Sequence, residues 1–218
     1  MSLLPKGLMP LLKSPTTLLV GAGVAVLGVL LLSRRSEPGA GGPVPPAWGP
    51  SAFVGPADRV MLAGDSLAAG LAKPMKGLAD AAGVQFRGRG VVGSRIDEWD
   101  GHYLAEDLAS FSPTVVVLSL GTNDMKMFDP ASQQAGRVQS LLAKIRAAGA
   151  RVAWIVPPTM PFTDKGVRQM IADAGPELAI HAERLELPRG PDKIHMTPSG
   201  YQTFAEAVWG CLTLSQCP

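Results

Sequence analysis

The chain has 218 residues, enough for one ordinary domain with an appendage and too few for two full enzymes. Hydrophobic residues make up 46% and charged residues 17%, which excludes a disordered acidic or basic chain, while two cysteines exclude a disulfide framework and a four-cysteine zinc site, and three histidines with no H-E-x-x-H speak against a multi-histidine metal centre. The net charge of +2 divides into +3 over residues 1–57 and −1 over 58–218, so the larger part has no basic excess to bind phosphates, and nucleic acid is not an expected partner.

The N-terminus reads as a membrane anchor. Ser14 to Ser33 is a run of 20 residues without a charge. As a helix such a run spans roughly 30 Å, the thickness of a bilayer core. Lys13 closes it on one side and Arg34-Arg35 on the other, which predicts a retained single-pass helix over 14–33 behind a short tail, 1–13. A cleaved signal peptide is the alternative. The length of the run, and the Arg-Arg pair directly after it with no A-x-A site, speak against cleavage. Lys6, Lys13 and the terminal amine face Arg34 and Arg35 across the span, so charge leaves the orientation nearly balanced. Residues 36–57 hold six prolines and five glycines, so 34–57 reads as an extended linker, and the domain is expected over 58–218.

Within the domain strands and helices alternate. Arg59 to Ala63 is a short apolar run broken by Gly64, and Leu67 to Ala82 has helical spacing closed by Gly83. A weaker strand follows near 84–87, and Thr114 to Leu120 is the strongest strand in the chain, rich in β-branched residues. Ala131 to Ala148 reads as a helix, Arg151 to Val156 as a strand stopped by Pro157-Pro158, 165–174 as a helix and 178–181 as a strand. Thr197-Pro198 opens the last helix, the threonine as N-cap and the proline at the first position. This alternation predicts a parallel sheet with helices on both faces, with function at the C-terminal ends of the strands.

Three motifs fall there. Gly64-Asp65-Ser66-Leu67 follows the first strand, where a serine hydroxyl is lifted at the sheet edge and helix N-terminal N–H groups can receive an oxyanion. A lone serine in that place is more often only a helix N-cap. Gly121-Thr122-Asn123-Asp124 follows the third strand, and the Asn123 amide is a candidate oxyanion donor, although Asn-Asp after a strand is also a routine turn. Asp192 stands three residues before His195, close enough to hold one ring nitrogen and leave the other as a base. His102 and His181 have no such partner and read as a surface helix residue and a residue near the fifth strand.

Taken together, Gly-Asp-Ser-Leu at 64–67, a glycine block from Gly90 to Gly93 followed by Ser94-Arg95, Gly-Thr-Asn-Asp at 121–124 and Asp-Lys-Ile-His-Met-Thr-Pro-Ser-Gly-Tyr at 192–201 resemble the SGNH hydrolases, or GDSL esterase/lipase family, over about 58–212. The resemblance implies a three-layer α/β/α flavodoxin-like fold and serine-ester hydrolysis without a metal or other cofactor. It assigns Ser66 as nucleophile, His195 as general base and Asp192 as its orienting carboxylate. The oxyanion donors would be the Ser66 and Gly93 backbone N–H groups and the Asn123 side chain, with Gly90 a nearby competitor for the Gly93 role.

Trp99, Met125 and Met196, with Tyr103, Met127, Phe128, Met160 and Phe162, follow strand ends or flank the motifs and are expected to line a shallow apolar acyl site. No insertion is long enough for a large lid, so small acyl groups such as acetyl, on glycan or cell-wall material, are favoured over long lipid chains. Transfer of the acyl group to a sugar hydroxyl, or lysophospholipase or thioesterase activity, are the alternatives. A membrane-tethered binding protein on the same fold is the non-enzymatic reading. Cys211 and Cys217 enclose five residues at the C-terminus; as a pair they would tie down the chain end and place the domain outside the cytoplasm, and otherwise they are two unrelated thiols.

Overall fold

The computed structural model describes residues 52–218. The expected helix over 14–33, the tail 1–13 and most of the linker lie outside the described residues. Among the described residues no helix is long and apolar enough to cross a membrane.

Five strands form one sheet: β1 (Arg59–Gly64), β2 (Gln85–Gly90), β3 (Val115–Ser119), β4 (Arg151–Val156) and β5 (Leu178–His181). They lie in the order β2-β1-β3-β4-β5, and every neighbouring pair is parallel. All five residues of β3, Val-Val-Val-Leu-Ser, are buried, as a central strand covered on both faces requires. The edge strands β2 and β5 are mostly half-exposed. The helices are α1 (Ser66–Ala81), α2 (Ile96–Glu98), α3 (Leu104–Phe111), α4 (Pro130–Ala147), α5 (Val167–Asp173) and α6 (Pro198–Leu214). Helix α1 packs against α6 on one face of the sheet, and α4 packs against α3 and α5 on the other, giving the expected three-layer fold.

The sequence pattern gives no bounds to an element between Gly93 and Thr114 and marks helix there only at His102; α2 and α3 are joined there by a π-helical turn, Trp99–Tyr103, into one helical run. The buried apolar residues of this run, Ile96, Trp99 and Leu104, are spaced by three and then five. The five-residue step breaks the 3.6-residue period and suits the wider π turn. The turn is tied to α4 through Asp100, 6% exposed, which accepts from Ser140 and Lys144 at 2.6 Å and from Arg137 at 3.1 Å.

The folded body begins before Asp58. Val54 is fully buried, and its N–H donates to the Leu212 carbonyl at 2.8 Å near the end of α6. Phe53 and Val54 supply apolar contacts to the core that the Pro/Gly composition around them hides. At the other terminus Cys211 and Cys217 are joined by a disulfide, which ties the chain end to the last turn of α6.

Close backbone approach fixes the ends of β1 and β3. A Cβ on Gly64 would lie 2.0 Å from the Ser119 carbonyl oxygen. Gly64→Ala is therefore expected to lower stability by roughly 3 kcal/mol. Gly77→Ala, on an exposed position of α1 with nothing within 4 Å, is expected to raise it by roughly 0.5–1 kcal/mol. Equilibrium denaturation of the two variants beside the wild type checks both signs.

Candidate active site

In the order β2-β1-β3-β4-β5 the chain leaves β1 toward one side and β3 toward the other, so a crevice opens between their C-terminal ends. The loop after β1 carries Ser66 and the loop after β3 carries Asn123. Asp65, in extended conformation, is the N-cap of α1; its Oδ1 accepts from the Leu67 N–H at 2.8 Å. The capping duty that a strand-end serine commonly performs thus falls to its neighbour, and the Ser66 hydroxyl is left for another partner.

That partner is His195. Its Nε2 lies 2.9 Å from Ser66 Oγ, across 129 residues of sequence. Its Nδ1 lies 2.6 Å from Asp192 Oδ2. The loop holding both residues is built by local rules. Asp192 Oδ1 accepts from the Ile194 and His195 N–H groups, each at 2.9 Å, in a turn closed by its own side chain. Lys193 takes the left-handed conformation, φ 57°, at the tip of the loop. A bridge between Arg189 and Met196 closes the base. The Arg189 guanidinium donates to the Ile194 carbonyl and to the Thr159 carbonyl, both at 2.5 Å, and so ties this loop to the one after β4. The hydrogen bonds from His195 and its own loop hold the Asp192 carboxyl down at about 2, so it is a carboxylate at any working pH.

The glycine block resolves into two roles. A Cβ on Gly90 would lie 2.2 Å from the Ala69 nitrogen, so this glycine lets α1 pack on β2. Gly93 sits in the exposed turn beyond β2 at φ +81°, a conformation that only glycine adopts freely. Asn123 Nδ2 donates one N–H to the Ser94 carbonyl at 3.0 Å, which sets the amide beside this turn and leaves its second N–H available. Gly93, Arg95, Asn123, Lys126 and Met127 line a cavity of about 370 Å³. A larger groove of about 520 Å³ runs between α1 and α6, past Gly70, Pro74, Leu78 and Tyr201, and includes none of the candidate site residues.

Of the apolar residues expected to meet a ligand, Met127 lines the cavity beside Asn123 and Phe128 is exposed, while three others are placed differently. Trp99, Met125 and Met196 are 0%, 1% and 5% exposed. Trp99 is a core side chain whose indole N–H donates to Ser94 Oγ at 2.9 Å, so it supports the Ser94 turn from beneath. Each looks like a ligand contact in sequence because it borders a motif, but each side chain packs into the core. The apolar side chains left open near the motifs are Val92, 76% exposed, and Phe128, 96% exposed.

Sequence reasoning also missed a pair of carboxyls under the site. Asp65 and Asp124 are both fully buried, and the Oδ2 of each has no hydrogen-bond partner. Burial pushes the Asp65 carboxyl up to about 7, with the Asp124 charge adding to the shift, and burial pushes Asp124 up to about 6. Both are motif residues, but burial cannot be read from a motif.

A model of the GDSL-like lipase/acylhydrolase family matches residues 62–203, a span that holds all of these loops. The chain belongs to the GDSL-like lipase/acylhydrolase family. It is therefore an ester hydrolase of the SGNH/GDSL type. No curated protein matches it. Solved structures share the fold of this GDSL hydrolase at low identity. An acetylxylan esterase from Geobacillus stearothermophilus is 14% identical with a TM-score of 0.60, over 76% of this chain and 99% of its own. A GDSL-like lipase from Bacteroides thetaiotaomicron is 17% identical with a TM-score of 0.57, over 71% and 87%. An α/β hydrolase from the metagenome of Lake Arreo is 14% identical with a TM-score of 0.62, over 74% and 99%.

In this GDSL hydrolase the buried pair has a thermodynamic signature. Both carboxyls hold a proton more tightly folded than unfolded. Their contribution is present below the usual carboxylate range and is lost as pH rises through about 6 and 7. Asp124→Asn keeps an acceptor for the Ile96 N–H, which now bonds Asp124 Oδ1 at 3.3 Å. It is expected to shrink the loss of stability between pH 4 and pH 8 by about 1–3 kcal/mol, with no gain at pH 4. Denaturant titrations across that range measure the difference.

Proposed function

We propose that the protein is a serine esterase in which Ser66, His195 and Asp192 act as a triad and hydrolysis passes through an acyl-enzyme. The observation that carries this reading is the unbroken line from Ser66 Oγ to His195 Nε2 at 2.9 Å and from His195 Nδ1 to Asp192 Oδ2 at 2.6 Å. His195 takes the hydroxyl proton as Ser66 Oγ attacks the ester carbonyl, and Asp192 holds the ring in the tautomer that leaves Nε2 free. The Ser66 N–H, at the first position of α1, the Gly93 N–H and the Asn123 amide receive the oxyanion. The ring returns the proton to the departing alcohol. Water, deprotonated by the same nitrogen, then releases the acid and restores Ser66.

The substrate in this reading is a short-chain acyl ester, foremost acetyl, on glycan or cell-wall material. Two observations support it: the cavity beside Asn123 is small and lined by polar groups, and an acetylxylan esterase is among the proteins of the same fold. Residues 14–33 would hold the enzyme to a lipid bilayer as a single span, with the catalytic domain outside the cytoplasm. The uncharged run supports the span, and the disulfide supports an oxidising compartment.

Ser66→Ala is expected to abolish ester hydrolysis with unchanged circular dichroism, and a serine-directed phosphonate to label Ser66 in the wild type alone. Asn123→Ala is expected to lower kcat by roughly 10²–10³-fold with a smaller change in KM. Near-normal turnover of the serine variant would end this assignment. For topology, protease added to intact cells expressing the full chain is expected to digest the domain, and Cys211 and Cys217 to take a thiol label only after reduction. Protection together with free labelling would place the domain in the cytoplasm.

A further inference from the structure

The cavity next to Asn123 has an uneven charge. Of its five lining residues two are cations, Arg95 and Lys126, and none is an acid. The acids that border it are committed elsewhere. Asp97 is held by the Arg95 guanidinium at 3.2 and 3.3 Å, Glu98 accepts from the Arg95 N–H at 2.9 Å, and Asp124 is buried beneath. Arg95 therefore arrives with a counterion.

Lys126 does not. It is exposed on the short 3₁₀ turn Asp124–Lys126, three residues after Asn123. Its ammonium has three N–H donors. Among the described residues its one hydrogen bond is a long contact of 3.5 Å to Asn123 Oδ1 and no carboxylate forms an ion pair with it, the buried Asp65 carboxyl feeling its charge only at a distance. The Phe162 ring, centred 5.4 Å from Nζ, gives the ammonium a place to rest. A third cation, Lys165, donates to the Met127 carbonyl at the margin of the same cavity. An ammonium without an ion-pair partner among the described residues thus stands beside the amide that would receive the oxyanion, at the mouth of a cavity large enough for part of a sugar.

Resting on the esterase reading above, we propose that this cavity is an anion subsite in which Lys126 pairs with an acidic group of the substrate. The natural substrate is then an ester on an anionic saccharide, not on a neutral glycan such as xylan. The acyl group sits at Ser66, and the acidic group of the alcohol portion reaches the Lys126 ammonium past Asn123. An ion pair of this kind, half in water, discriminates moderately and is weakened by salt.

The test compares three acetylated methyl glycosides with the full-length enzyme: a glucoside, the matching glucuronide and the matching glucoside 6-phosphate. The readout is the ratio of kcat/KM for an anionic probe to that for the neutral one. The wild type is expected to favour at least one anionic probe by about five- to tenfold, the worth of one partly solvated charged hydrogen bond. Which probe gains identifies carboxylate or phosphate as the group. Lys126→Met is expected to bring the ratio near one, Lys126→Glu to invert it, Lys126→Arg to retain it, and added salt to lower it in the wild type and in Lys126→Arg but not in Lys126→Met. A wild-type ratio at or below one for both anionic probes, or an unchanged ratio in Lys126→Met, overturns the proposal. Those results leave the esterase reading standing, whereas hydrolysis that survives Ser66→Ala would overturn that reading instead.

Discussion

The bond from the Leu67 N–H to the Asp65 carboxylate decides what Ser66 is able to do. A helix start needs side-chain acceptors, and a serine beside one is ordinarily drawn into that role. Here the residue before it accepts the N–H at 2.8 Å, so the serine hydroxyl turns to His195. The same carboxyl is buried with its second oxygen unpartnered, a cost carried by the surrounding core. The geometry of Ser66, cap and sheet end is one unit, because Asp65 is also tied by its N–H to the Ser119 carbonyl at 3.1 Å.

The remaining parts of the site come from two kinds of origin. The Asp192–His195 loop is local: an aspartate that accepts two N–H groups of its own turn and still reaches the imidazole needs no distant partner to form. The pairing of that loop with Ser66, and of Asn123 with Ser94, is long-range and depends on the parallel register of β1 and β3. Arg189 joins the two regimes by bonding the carbonyls of Ile194 and Thr159.

Much of this was legible before any coordinates. The β-branched run at 114–120 and the Thr-Pro start of α6 announced their elements because one local rule dominated each. The motif loops were legible because strand ends concentrate them. The helical run from Ile96 to Phe111 was not, since its π turn shifts the apolar spacing by one residue. Nor was the burial of Trp99 and Met125, because large apolar residues beside a motif suit a binding wall and a core equally. The charge of Lys126 was visible, but its lack of a counterion is a property of three-dimensional neighbours.

The hydrogen bond from Val54 to Leu212 has a directional meaning. Helix α6 starts beside His195 and runs 17 residues, about 25 Å at 1.5 Å per residue, to the end where Val54 docks. The chain therefore comes into the body at the pole opposite the catalytic crevice. A handle at residue 52 leaves the crevice unshadowed, and a body gripped there turns Ser66 away from the hand that holds it. The body can therefore be fused or immobilised through that pole without covering the crevice.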